Sequence, residues 1–375
     1  MKLVIDLIGF EHGKAYGFEE FVFNLLKDFK RFRYKINADE IIIVGHSNQR
    51  QYFLPLLTDG ISFYSVNYKG VLTRRWQSEV LANRLKLTNK DVVLYPGNNM
   101  PLNKIRAKKI LVVHDLLFMY NKLCEHTLYF TLFRLQQFLY VPQGARKADE
   151  IIAISNFTKN DIIKRLKVTT NKINTIYNYF CFDKYSDSDI LGIERITYPY
   201  ILSVCAGNKH KGHKVLLESF SLLAKDNNEI NLVLVGSLHV SAQSYFDDLS
   251  GDIRDRIHFL RHISNADLAY LYRNARAYVS ASLFEGLGMP VVEALYFGLP
   301  VILSDIDVHR EISFNRAVYF APQSSLDLYK KVKGVLDGII PIQPVDRDSI
   351  EERYSSNNTS LKYIEVINSL IKQGA

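Results

Sequence analysis

Short apolar runs alternate along this chain with longer stretches in which apolar residues return every three or four positions. Leu3–Leu7, Glu40–Val44, Ser62–Val66, Val92–Tyr95, Ile110–Val113 and Glu150–Ile154 have the length and residue types of buried strands. Between them, Phe18–Phe29 and His126–Val141 carry helical spacing. After Tyr198 the alternation restarts. Tyr200–Val204, Asn231–Val235, Ile257–Leu260, Ala277–Val279 and Pro300–Leu303 are predicted strands, and Lys211–Ala224 a predicted helix. Strands separated by helices predict parallel sheets built from right-handed crossovers. Two such series predict an α/β protein of two doubly wound, Rossmann-like domains.

The expected boundaries lie where the pattern fades. Residues 1–182 form the first domain and 200–357 the second. Residues 183–199 read as a polar linker that ends in Tyr198-Pro199, where the proline disfavours helix before it. Asn358–Lys372 predicts a closing helix within 358–375; one place for it is back on the N-terminal domain. Doubly wound sheets bind ligands beyond the carboxyl ends of their strands, so two of them predict a site in a cleft that the domains face.

Composition narrows the class. The 375 residues are 47% apolar and 23% charged, as in soluble globular proteins. No apolar run approaches the roughly 18–20 residues of a membrane span. Met1–Asp6 meets an acid at position six, so a signal peptide is not expected. Cys124, Cys181 and Cys205 have no motif spacing and suit idle thiols in a reducing cytoplasm.

The net charge of +8 points to an anionic partner. From Ile61 to Leu111, ten Lys and Arg stand against two acids. Arg74, Arg75, Lys104, Arg106, Lys108 and Lys109 belong to that excess, which reads as a solvated face or as a surface for anionic lipid. No zinc spacing, helix-turn-helix or RNA-binding aromatic motif supports nucleic acid. The neighbouring aromatics Tyr129, Phe130, Phe133, Phe138 and Tyr140 are expected mostly in the core; rings left exposed beside cations suit a membrane surface.

Four segments after predicted strands carry candidate chemistry. Glu285-Gly286-Leu287-Gly288-Met289-Pro290, with Glu293 three residues on, runs from a loop into a helix. Its glycines allow close backbone approach, and free N–H groups at the helix start attract phosphate. Carboxylates there can accept hydrogen bonds from sugar hydroxyls, although a glycine turn with a solvated glutamate also fits. Lys209-His210-Lys211-Gly212-His213-Lys214 gathers cations at a helix start, against its dipole, a conflict that an anionic ligand would offset. His114-Asp115 ends a strand, either as a hydroxyl-binding His with its orienting Asp or as a structural pair. Gly17 opens the first helix. Neither G-x-G-x-x-G nor a Walker motif occurs, which counts against nicotinamide and P-loop readings.

Together these segments resemble the retaining glycosyltransferases of family four, which have the GT-B fold. Glu285 to Glu293 matches the family's E-x7-E signature in its E-G-x-G-x-P form. Phe297-Gly298-Leu299-Pro300-Val301-Ile302 resembles the family's next helix end and strand. His114-Asp115-Leu116 and Ile154-Ser155-Asn156-Phe157-Thr158-Lys159 are similar to N-terminal segments of polysaccharide-assembly members. The resemblance implies transfer of a hexose from a nucleotide diphosphate sugar to a glycan acceptor, with retention and without a metal or other cofactor. It implies a lipid-linked acceptor at the inner face of the cytoplasmic membrane. Lys211 would contact the pyrophosphate, Glu285 the sugar and Glu293 the ribose, with Lys209 or His210 supplying a second positive charge. Gly17, Gly286, Leu287, Gly288 and Met289 would complete the donor site, and His114 would serve catalysis. The chain departs from the family at Cys205, His210 and Arg261. A nucleotide-sugar epimerase of the same architecture and a non-catalytic sugar-binding scaffold remain the alternatives.

Overall fold

The structure, a computed structural model, describes residues 1–8, 16–67, 77–125, 127–180 and 192–374, with the side chain of Tyr16 left out. Arg74 and Arg75 and linker positions 183–191 lie outside these residues. The chain divides into two compact units. One comprises Met1–Met119, Thr127–Tyr179 and Ser356–Ala375; the other comprises Tyr120–His126 and Phe180–Ser355.

In the first unit seven parallel strands are ordered β3-β2-β1-β4-β5-β6-β7. They are β1 Lys2–Asp6, β2 Glu40–His46, β3 Ile61–Val66, β4 Val92–Tyr95, β5 Lys108–Val113, β6 Glu150–Ala153 and β7 Ile173–Thr175. Leu3, Val4 and Ile5 are all buried, as expected of a strand covered on both faces, and this is why these strands read as apolar runs rather than alternations. The helix Ser356–Gly374 belongs to this unit. It buries Tyr363, Ile364 and Ile367, and Ser360 Oγ donates to Asp28 Oδ2 at 2.7 Å. Burial holds the Asp28 carboxyl above its ordinary pKa.

The second unit holds six parallel strands in the order β10-β9-β8-β11-β12-β13. They are β8 Tyr200–Cys205, β9 Asn231–Gly236, β10 Ile257–Leu260, β11 Ala277–Ser280, β12 Val301–Ser304 and β13 Val318–Phe320. Residues 192–196 are tied to it: Gly192 and Ile193 donate their N–H groups to Asp267 Oδ1 at 2.7 and 3.2 Å. The short edge strands β7 and β13 were not expected from the sequence.

In each sheet the strand order reverses once, between β1 and β4 and between β8 and β11. Such switch points leave a crevice at the strands' carboxyl ends.

One expectation fails. The helix predicted at His126–Val141 spans Leu128–Lys147, and its rings do not enter the core. Tyr129 is 72% exposed, and Phe130, Phe133 and Phe138 are each at least 40% exposed. Only Gln137 is buried before Val141, so the first three turns stand out from the sheet they lead back to.

Candidate functional site

The crevice of the second sheet is assembled from loops after β8 and β11. Gly212 stands at φ +69°, and a Cβ there would collide with the carbonyl oxygen of Ala281. Only glycine lets the two loops approach this closely. Leu283 N–H then donates to His210 O at 2.7 Å and locks them together. This brings Lys211 Nζ to 2.6 Å from Glu285 Oε1, although 74 positions separate the two residues. Burial works against the Glu285 charge, but the Lys211 ammonium outweighs it and holds the carboxyl below its ordinary pKa.

Glu285 also stands before the helix Met289–Tyr296, whose N-cap is Gly288 at φ +91° with Pro290 in the first turn. Pro290 has no N–H and Val291 N–H donates to Gly288 O at 3.0 Å, so the helix start sets the amides of Gly288 and Met289 near the ion pair, an arrangement suited to anionic and hydroxyl-bearing groups. Leu287 is buried, so only its backbone can serve a ligand. Gly286 and Met289 are half-buried at the loop. Glu293 is buried, and Tyr272 Oη donates to its Oε2 at 2.8 Å. Nothing local in the sequence marks Tyr272; it comes from the helix Asn265–Asn274 and meets Glu293 only through the fold.

Two further features escape the sequence for the same reason. His309 is fully buried at the start of the helix Asp307–Ile312, with Nδ1 2.9 Å from Ser304 O. Ser304 Oγ in turn donates to Ser282 O, which fixes the loop that leads to Glu285. His239 Nε2 lies 2.7 Å from Glu125 Oε1.

His210 does not carry a second positive charge at neutral pH. Burial, reinforced by the Lys211 charge, lowers its pKa to about 4. His213 is lowered to about 4, chiefly by burial, and its Nε2 meets Cys205 Sγ at 3.1 Å. Lys209 thus remains the neighbour able to add charge to that of Lys211.

In the first unit, the ends of β4 and β5 hold His114. Its Nε2 donates to Pro96 O at 2.7 Å, and the rings of Phe18 and Phe21 meet it edge-on at 5.3 and 5.1 Å. Burial lowers its pKa to about 4. Asp115 closes the turn that follows His114. Its Oδ1 accepts Leu117 N–H at 2.8 Å, because a short carboxylate two residues ahead of an amide closes a turn. Ser155 caps the helix Asn156–Asp161 and places Thr158 Oγ1 3.4 Å from His114 O. Gly17 lies exposed in the first turn of Tyr16–Arg31, next to Phe18.

The basic stretch sits elsewhere. Lys104 and Arg106 are exposed ahead of β5, and Lys108 and Lys109 share Asp149 at 3.8 and 3.4 Å. Lys108 begins the strand that leads to His114, so these cations mark the opposite end of the sheet.

Residues 192–338 match the family described as glycosyl transferases group 1. The O-antigen chain mannosyltransferase RfbU of Salmonella typhimurium is 27% identical over 252 residues, 67% of this chain and 66% of that protein. The serotype-specific mannosyltransferase WbdA of Escherichia coli is 34% identical over 137 residues, 36% of this chain. The match spans only 17% of WbdA, so the chain covers less than two thirds of either relative. A sucrose-phosphate synthase of Thermosynechococcus elongatus superposes over the whole of both chains with a TM-score of 0.76 at 13% identity, which shows the fold. Residues 192–338 of the second unit thus match the group 1 glycosyltransferases, family four, and the chain has the GT-B fold and resembles bacterial surface-polysaccharide enzymes.

Proposed function

We propose that this chain transfers a hexose, most simply mannose, from a nucleotide diphosphate sugar to a lipid-linked glycan during O-antigen-type polysaccharide synthesis, with retention of configuration. The observation that carries the reading is the Lys211–Glu285 pair at the β8/β11 switch point, beside the helix start at Gly288. The mannosyltransferase names of two relatives support the choice of sugar.

As the bond to the pyrophosphate breaks, negative charge grows on the leaving group. Lys211 and the N–H groups around Gly286–Gly288 lie where they can stabilise that charge as it develops. Glu285, kept ionised by Lys211, accepts hydrogen bonds from sugar hydroxyls. Glu293 accepts a hydrogen bond from ribose. His114, neutral at physiological pH, binds a hydroxyl rather than a phosphate. The protein's own cations take the role that a metal ion plays in other transferases.

The test is incubation with nucleotide diphosphate sugars carrying mannose, glucose or galactose, with and without membrane-lipid extract. Transfer should require one donor and the extract, and should survive EDTA. Activity abolished by EDTA and restored by manganese would refute the metal-free reading. Isomerised donor without transfer would favour an epimerase.

A further inference from the structure

The helix Asp307–Ile312 lies under the loop that carries Glu285, close enough that a Cβ on Gly288 would come 3.2 Å from Ile312 Cδ1. Three residues earlier, His309 is wholly buried. Its Nδ1 lies 2.9 Å from Ser304 O and 3.1 Å from Ser304 Oγ. A carbonyl oxygen only accepts, so Nδ1 carries the hydrogen and Nε2 the lone pair. Burial lowers the His309 pKa, and the ring is neutral at pH 7. Among the described residues nothing pairs with Nε2. A leucine would fill the same space without burying an unpaired ring nitrogen. What the histidine adds is the Nδ1–H donor.

That donor sets the direction of the next bond. With Nδ1–H aimed at Ser304, the serine hydroxyl turns its own hydrogen away and donates to Ser282 O. The accepting oxygen belongs to the peptide between Ser282 and Leu283. The N–H of the same peptide donates to His210 O at 2.7 Å. One peptide unit is therefore gripped at both polar atoms, by the end of β12 on one side and by the loop after β8 on the other. Lys211 follows His210 directly, and Glu285 follows Leu283 by two residues. The peptide thus acts as a crossbar that fixes Lys211 Nζ 2.6 Å from Glu285 Oε1.

We infer that His309 is a positioning residue for transfer: its Nδ1–H holds the Ser304 hydroxyl as a donor to Ser282 O, which locks the Ser282–Leu283 peptide and aims the Glu285 carboxylate. The ring is sealed from solvent and touches no substrate, and no proton moves along the chain of bonds. The inference rests on the proposed function, because His309 acts only through Glu285. Without the Nδ1–H donor the Ser304 hydroxyl can turn back toward the ring nitrogen's place, and the peptide is held at one end only. Glu285 then loses its aim at the sugar hydroxyls, while Lys211 and Glu293 still hold the nucleoside diphosphate. A histidine that merely filled the core would behave otherwise: its loss would weaken every contact of the crevice together.

The test is transfer from GDP-mannose, UDP-glucose and UDP-galactose by the full chain, with calorimetric titration of GDP and UDP, in wild type, His309→Leu, His309→Asn and Ser304→Ala. Asparagine sets an N–H donor near the place of Nδ1, and leucine sets none. His309→Leu and Ser304→Ala should each lower kcat about tenfold, as for a buried polar group left without its partner, with diphosphate affinity within about twofold of wild type. His309→Asn should recover most of the loss. In a Glu285→Gln background His309→Leu should cost less than about twofold more, since the residue it aims is already gone. Nitrogen NMR on wild type, with His309→Asn to identify the resonances, should show a neutral ring protonated at Nδ1. A ring protonated at Nε2, equal losses of transfer and diphosphate affinity, or a full loss on top of Glu285→Gln would each overturn the assignment. If wild type transfers no sugar at all, the proposed function fails, and donor binding alone judges the positioning. The preference for the sugar-bearing nucleotide over its free diphosphate should then fall in His309→Leu and return in His309→Asn, and an unchanged preference would overturn it.

Discussion

The two sheets share one topology, yet their crevices hold opposite chemistries. At the β8/β11 switch point a lysine and a glutamate pair at 2.6 Å beside a glycine-capped helix start. Near the β1/β4 switch point, His114 is neutral, donates to a backbone carbonyl and is flanked by two phenylalanine rings. One fold thus holds an ion pair in one crevice and an uncharged, partly apolar wall in the other. The difference comes from the loops, since the strands beneath both sites are similarly buried and apolar.

Breaking the scaffold of the charged crevice should have the largest effect. Gly212→Val forces a β-branched residue into φ +69° and into the Ala281 carbonyl. A loss of at least about 2 kcal/mol in urea unfolding is expected, together with loss of nucleotide binding. The same change at Gly17, where a Cβ would meet nothing within 4 Å, should cost much less.

The charged crevice itself divides between its two carboxylates. Glu293→Gln should weaken a donor and its free nucleoside diphosphate alike, by about tenfold. Glu285→Gln should leave diphosphate affinity unchanged or slightly tighter, because Lys211 loses its competing partner, while transfer falls. Calorimetry on both variants checks the split, and equal losses of diphosphate affinity would show that the roles are misassigned.

Both crevices are sharpened by pH. His114, His210 and His213 have folded-state pKa values near 4, below the ordinary 6.5. The unfolded chain therefore binds more protons, and stability falls as pH drops from 6.5 toward 4. Each histidine contributes up to about 3 kcal/mol. Urea midpoints at pH 7 and pH 4.5 should differ accordingly, and His114→Phe should narrow the gap. Acceptor binding should show no ionisation of His114 between pH 5.5 and 8.

Legibility in the sequence divides along similar lines. Strands β1–β6 and β8–β12 are legible, and where both faces are buried, as in β4, β11 and β12, the sequence is a nearly continuous apolar run. The charged crevice is legible because E-x7-E and the lysine cluster are contiguous motifs at strand ends. Tyr272, His309 and the His239–Glu125 pair are not, because their partners meet only through tertiary packing. The strands β7 and β13, three residues each, lack a readable pattern. The helix Leu128–Lys147 misleads for a physical reason: apolar residues in a soluble chain are expected inside, and its sequence is apolar around most of its circumference. The aromatic and leucine side chains that suggest a core position are exposed instead.

The central claim is that the second unit's crevice holds a diphosphate through Lys211. Titration of nucleoside diphosphates and of the matching nucleosides into wild type and Lys211→Ala tests it most directly. The diphosphate that binds wild type best should lose about ten- to a hundredfold in affinity in the variant, as expected for a hydrogen bond to a charged group. The nucleoside should bind both proteins equally. Undiminished diphosphate affinity in correctly folded Lys211→Ala would contradict the claim.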